Sequence, residues 1–196
     1  MTEYPNWFRS GGAEANFDKF LRAYAGKPIR CLQIGAYTGD ATEWLFNNVL
    51  TNPKSVLYDV DTWEGSEEPA HAVMNWTSVE ETYDSRTKAY QDSKNLYKLK
   101  MTSDDFFLKA NTLQTPYFDF IYVDGDHKAM SVLRDGINAI SLLAPNGILA
   151  FDDYMWSLGV GPAYDPKPAI DAILTCVQTS EFTLLDKGLQ VWLQKN

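Results

Sequence analysis

Two rhythms of hydrophobic and polar positions alternate along this chain: short apolar runs and longer amphipathic stretches. Residues 13–24 (AEANFDKFLRAY) carry a helical pattern closed by Gly26 and Pro28. Residues 29–34 (IRCLQI) predict a short buried strand. After Gly35-Ala36-Tyr37-Thr38-Gly39 come an expected helix over 40–50 and a strand over 55–60. Residues 62–78 lack periodicity and contain Gly65 and Pro69, which predicts a loop or mobile cap. A polar helix over 79–91, a strand over 96–100 and a helix over 104–110 follow. The run FDFIYV at 118–123 is continuously apolar, as in a strand covered on both faces. Met130, Leu133, Ile137, Ile140 and Leu143 recur at helical spacing over 128–143. Pro145-Asn146-Gly147 predicts a turn, 148–151 a strand, 157–168 a loop and 169–179 a helix. Two final strands, 182–185 and 189–193, flank Asp186-Lys187-Gly188 as a hairpin.

Strands alternating with helices imply a largely parallel sheet with helices on both faces. Ligands of such sheets bind outside the carboxyl ends of the strands. No repeat or linker divides the chain, so residues 1–196 read as a single domain.

Composition narrows the function. The net charge of −9 argues against a long nucleic-acid partner, which needs a basic face. The aromatic share, 14%, exceeds what a core alone requires, so some rings are expected to line a ligand cleft. Cys31 and Cys176 sit in separate apolar runs and read as buried reduced thiols. The start Met1-Thr2-Glu3-Tyr4-Pro5 is unlike a signal peptide, and no run approaches the ~18 apolar residues of a membrane span. A soluble cytoplasmic protein with no membrane partner is expected, with a homodimer as the default assembly.

Three places carry chemistry. The glycines of Gly35–Gly39 allow a sharp turn and close approach of a ligand to free N–H groups. The spacing is neither the dinucleotide nor the phosphate-loop fingerprint, and a plain strand–helix turn is the alternative. Asp59-Val60-Asp61 ends the second strand, where a carboxylate can accept both hydroxyls of an adenosine ribose; Asp61 is preferred over Asp59. Asp124-Gly125-Asp126-His127 and Asp152-Asp153 end two strands expected to be neighbours. Carboxylates converging there call for a shared cation, and oxygen ligands suit Mg²⁺. The competing reading is that Asp124 or Asp126 merely caps the next helix.

These motifs resemble the class I S-adenosylmethionine-dependent methyltransferases over nearly the whole chain. VDTW (60–63), IYVDGDH (121–127), GILAFDDY (147–154), PKPAID (166–171) and LQVWLQK (189–195) look like a compact bacterial and phage-type branch. LQIGAYTGD resembles the first turn of catechol-type O-methyltransferases, and macrocin-type sugar O-methyltransferases show a similar carboxylate arrangement. The resemblance implies a three-layer, Rossmann-like α/β sandwich with a mostly parallel seven-stranded sheet and an antiparallel C-terminal hairpin strand. It implies that Gly35, Ala36, Tyr37 and Gly39 wrap the methionine part of S-adenosylmethionine and that Asp61 holds the ribose. Trp63 is implied to pack on the ribose or adenine, with a core or cap role as the alternative; Ser103 and Asp104 are implied to contact adenine. Asp124 would lie near the cofactor amino group and join Asp152 and Asp153 around Mg²⁺ or another divalent cation. His127 stands where catechol-type enzymes place a lysine base, so His127 or Asp126 would take the acceptor proton. Gln33 departs from the acid usual two residues before Gly35. His71, in the cap, reads as solvated. Trp63, Trp76, Tyr154 and Trp156 are expected to cover the acceptor. The implied activity is metal-assisted O-methylation of a small molecule. The rivals are a hydroxylase-like enzyme on the same scaffold and a cofactor-binding module without turnover.

Overall fold

The computed structural model describes residues 4–110 and 116–196. Seven strands form one sheet: β1 (Arg30–Ile34), β2 (Val56–Asp61), β3 (Leu96–Lys100), β4 (Phe118–Val123), β5 (Leu143–Phe151), β6 (Phe182–Lys187) and β7 (Val191–Lys195). Their order is β3-β2-β1-β4-β5-β7-β6. The first five are mutually parallel, and β7 runs antiparallel to both β5 and β6. The helices are α1 (Trp7–Ser10), α2 (Ala13–Leu21), α3 (Asp40–Asn48), α4 (Trp76–Asp92), α5 (Ser103–Ala110), α6 (Ala129–Leu142) and α7 (Lys167–Cys176).

Strand side chains alternate between two cores because their period is two. Leu32, Ile34, Ile121, Val123, Leu149, Phe151 and Leu193 face one layer, built by α5, α6 and α7 through Phe106, Val132 and Ile170. Cys31, Leu57, Phe120, Tyr122, Ile148, Ala150 and Trp192 face the other, built by α2, α3 and α4 through Phe17, Leu45 and Tyr83. This is the three-layer α/β sandwich with an antiparallel C-terminal hairpin strand that the family resemblance implies. Among the described residues no helix is long and apolar enough to cross a membrane.

Several boundaries differ from the pattern reading. β5 begins at Leu143, because the Pro145-Asn146-Gly147 turn is a bulge inside the strand rather than its end: Leu143 pairs with Phe118 and Ile148 with Phe120. Asn146 takes the left-handed conformation there, at φ 62°. α4 starts at Trp76, capped by the Asn75 side chain, which accepts from Ser78 N. The helix expected over 13–24 relaxes after Leu21 into a 3₁₀ turn, and α7 starts at Lys167. α1 was not visible in the pattern; it is a single turn capped by Asn6. Cys31 is buried as expected, whereas Cys176 is exposed at the end of α7.

The fold places the site through its strand order. β1 is flanked by β2 on one side and β4 on the other, so the crevice at their carboxyl ends lies at a topological switch point. Gly35, Asp61, Asp124 and the Asp152-Asp153 pair all leave the sheet at that edge.

Candidate functional site

The turn after β1 is built from left-handed residues. Gly35 and Gly39 have φ of 86° and 82°, and Tyr37 lies between them at φ 48°. A Cβ at Gly35 would collide with the Asp124 carbonyl, so only glycine lets β1 and β4 close together here. Asp61 anchors the turn. Its Oδ2 accepts from Ala36 N (2.7 Å) and Tyr37 N (2.9 Å), and its Oδ1 from Trp63 N (2.7 Å). The carboxylate predicted to face a ribose therefore also holds the loop that would wrap the methionine end. Asp59, the fallback, is fully buried beneath it, accepting from Thr42 Oγ1 (2.6 Å) and Tyr83 OH (2.8 Å). Burial pushes Asp59 up to about 7, against those two bonds, and its Oδ1 has no partner.

Gln33 belongs to the same buried layer. Its amide donates to Gly35 O (2.8 Å) and accepts weakly from Thr42 Oγ1 (3.5 Å). The departure from an acid thus braces the turn from below. Trp63 is core rather than ligand platform. It is 2% exposed, donates to Tyr37 O (2.9 Å), and lies between Tyr83 and the Lys98 ammonium. Ser103 and Asp104 open α5, but both side chains are engaged by α6: Ser103 by Asp135, Asp104 by Arg134 at 3.1 Å.

The acidic rim divides in an unforeseen way. Asp124, His127 and Asp153 each offer one ligand atom, all within 4.8 Å of one another. Asp152 is not in that group. Its Oδ2 accepts from the buried Tyr122 hydroxyl, and its Oδ1 from Asp153 N at 2.8 Å. Burial, then Asp152 and Asp153, push Asp124 well above the carboxylate range; burial and Asp153 push Asp152 up to about 6. Two carboxylates and an imidazole converging on one point form a donor set suited to a divalent cation. Asp126, a predicted base, is tied to the entry of α6: it accepts from Lys128 N (3.4 Å) and Ser131 Oγ (2.7 Å).

His127 stands between two carboxylates. Nε2 lies 2.9 Å from Asp153 Oδ2, and Nδ1 lies 3.1 Å from Glu68 Oε1. The second contact is an ion pair whose direction falls outside hydrogen-bond geometry. Burial opposes the imidazolium, but Asp153 and Glu68 outweigh it and push His127 up to about 11. Glu68 is the residue that sequence reasoning missed. It comes from the loop between β2 and α4, and the neighbouring Glu67 pairs with Lys128 at 2.8 Å. The only sequence signal is the acidic run EGSEE inside the predicted cap. His71 is half-buried rather than solvated: its Nδ1 accepts from Ser66 N at 3.1 Å, and its ring packs on Trp7 and Trp76.

A cavity of about 250 Å³ opens beside His127, lined by Glu68, Pro69, Trp156, Leu158, Val160 and Tyr164 among others. Trp156 meets the His127 ring edge-to-face at 4.5 Å. Of the four aromatics expected over the acceptor, Trp156 alone lines this cavity. Trp76 packs on Tyr37 and His71, and Tyr154 donates to Asp171.

A family profile described as a methyltransferase domain matches residues 32–154, the stretch from β1 to Tyr154 that carries every predicted site residue. The chain belongs to that family. It is a class I S-adenosylmethionine-dependent methyltransferase by family, as its motifs indicate. No curated protein sequence matches this methyltransferase. Its fold is shared with an O-methyltransferase from Bacillus cereus solved with S-adenosylhomocysteine, at TM-score 0.63 and 14% identity, covering 100% of this chain and 93% of that one. A putative rRNA-methylase from Clostridium thermocellum is similar at TM-score 0.65 and 10% identity, covering 100% and 98%. The mycinamycin-pathway methyltransferase MycE, solved with Mg and S-adenosylhomocysteine, is similar at TM-score 0.63 and 16% identity, covering 99% of this chain and 51% of its own.

Proposed function

We propose that this methyltransferase moves the methyl group of S-adenosylmethionine to a hydroxyl of a small molecule, with a divalent cation at Asp124 and Asp153. The observation that carries the reading is the convergence of Asp124, His127 and Asp153 between the Gly35 turn and the cavity walled by Trp156. The turn at 35–39 fits the amino-acid end of the cofactor by its position, because glycine at 35 lets the end of β1 close against Asp124 at the switch-point crevice. Asp61 would add ribose hydroxyls to the bonds it already accepts, and the start of α5 at Ser103-Asp104 would border the adenine. Sulfonium cofactors are activated donors, so the chain's work is alignment and removal of one proton.

A bound divalent ion would lower the pKa of the acceptor hydroxyl and orient it. Asp124 and Asp153 would hold the ion. With Asp153 turned to the ion, His127 would have to release its imidazolium proton to solvent against the remaining pull of Glu68, and its neutral Nε2 would then be the group to take the acceptor proton. Trp156 and the Glu67-Glu68 segment close the cavity and exclude water. A volume of about 250 Å³ and a net charge of −9 favour a compact acceptor over nucleic acid. MycE, which carries Mg, and the Bacillus cereus O-methyltransferase support the cation and the oxygen acceptor by likeness of fold.

The test is transfer of labelled methyl from S-adenosylmethionine to a panel of hydroxylated small molecules, with Mg²⁺ or with excess chelator. Chelator-sensitive labelling of a hydroxyl is expected. Full activity under chelation would leave the cation without a role, and preferential binding of NAD would overturn the donor.

A further inference from the structure

The motifs IYVDGDH and LQVWLQK leave Tyr122, Gln190 and Trp192 unexplained by the chemistry above. All three are fully buried. They form a chain of hydrogen bonds that ends at the rim. Asn16 Nδ2 (2.9 Å) and Trp192 Nε1 (3.0 Å) donate to Gln190 Oε1. Gln190 Nε2 donates to Tyr122 OH at 3.3 Å, and Tyr122 OH donates to Asp152 Oδ2. Every donor points towards the carboxylate, so each bond polarises the next.

The other oxygen of Asp152 continues the chain. Asp152 Oδ1 accepts from Asp153 N, and Asp153 sits in the left-handed region at φ 56°. A non-glycine residue there is held by its surroundings. The next residue is tied to the same C-terminal segment, since Tyr154 N donates to Leu189 O at 2.9 Å. The turn that sends Asp153 towards Asp124 and His127 is therefore gripped on both sides from residues 189–190.

We propose that Tyr122 and Gln190 are positioning residues of the cation site: through Asp152 they fix the backbone turn that brings the Asp153 carboxylate to Asp124. Asp152 thus works as a strut for the ligands. The inference rests on the reading that Asp124 and Asp153 hold a divalent ion. Hydrogen-bonded groups behind metal ligands set ligand geometry and affinity in this manner.

Mn²⁺ alone, followed by electron paramagnetic resonance, and S-adenosylhomocysteine alone, followed by calorimetry, are titrated into the full chain and its variants. Tyr122→Phe keeps the ring that packs against Phe17 and removes only the hydroxyl. Gln190→Met keeps the volume and removes the donor. Asp153→Ala removes the ligand itself and should abolish Mn²⁺ binding. Tyr122→Phe and Gln190→Met should each weaken Mn²⁺ by about 10–100-fold while S-adenosylhomocysteine affinity stays within about twofold. Wild-type Mn²⁺ affinity in both variants would overturn the relay and leave the cation reading standing. Equal losses for both ligands would also overturn it, by showing a general packing defect. Absence of Mn²⁺ binding in the unaltered protein would remove the cation reading and the relay together, and the wild-type curve alone shows which case holds.

Discussion

Asp61, proposed to hold the ribose, already accepts from Ala36 N, Tyr37 N and Trp63 N. Asp61→Ala should therefore weaken S-adenosylhomocysteine by at least about 1.5–3 kcal/mol, the range for hydrogen bonds to a charged group. Calorimetry showing unchanged affinity would take Asp61 out of the site. Asp59 makes a pH prediction. Its folded pKa is about 7 against an ordinary 3.8, so between those values the folded state holds a proton that the unfolded state has lost. Its contribution to stability is full below about pH 4 and is lost as pH rises through 7. Asp135 and Asp152, each raised to about 6, act in the same direction. The melting temperature of the cation-free protein should thus fall between pH 4 and 7, and Asp59→Asn should flatten part of that slope. A variant slope equal to that of the wild type would contradict the assignment. At this scale strand-end position makes the rim location of Gly35, Asp61 and Asp124 legible in the sequence. It could not separate Asp152 from Asp153. Successive residues leaving a strand point to opposite sides, and only Tyr122 beneath the sheet decides which one turns away.

The element that most changes the picture is the cap between β2 and α4. Its absence of periodicity was legible, but its attachment was not, because ion pairs between distant segments leave no local pattern. Glu67 and Glu68 meet Lys128 and His127, which follow β4, and so latch the cap over the cavity. Glu68→Gln should accelerate amide hydrogen exchange across 62–75 while leaving β1 and β4 protected. Exchange identical to that of the wild type would mean that aromatic packing of His71 on Trp7 and Trp76 holds the cap without the latch. α1 escaped the sequence reading for a related reason. One turn held by Asn6 is too short for a hydrophobic period, yet its Trp7 stacks on Tyr37 of the turn after β1 at 4.6 Å.

Across the whole molecule, alternating apolar runs and amphipathic stretches indicate a largely parallel sheet with helices on both faces and a closing hairpin, while the three layers and the antiparallel last strand come from the family resemblance. The bulge at 144–147 was hidden because a turn signal inside a strand and one at its end look alike. The site forms where the strand order reverses, and its parts arrive from four directions: the turn after β1, the end of β2, the β4 rim, and β5 braced by β7. This edge is proposed to hold cofactor and a divalent ion side by side. Anomalous scattering from a crystal grown with Mn²⁺ and S-adenosylhomocysteine tests this most directly. S-adenosylhomocysteine is expected along residues 35–39, with a manganese peak bounded by the Asp124 and Asp153 carboxylates beside His127. S-adenosylhomocysteine in that place with no manganese between those two carboxylates would contradict it.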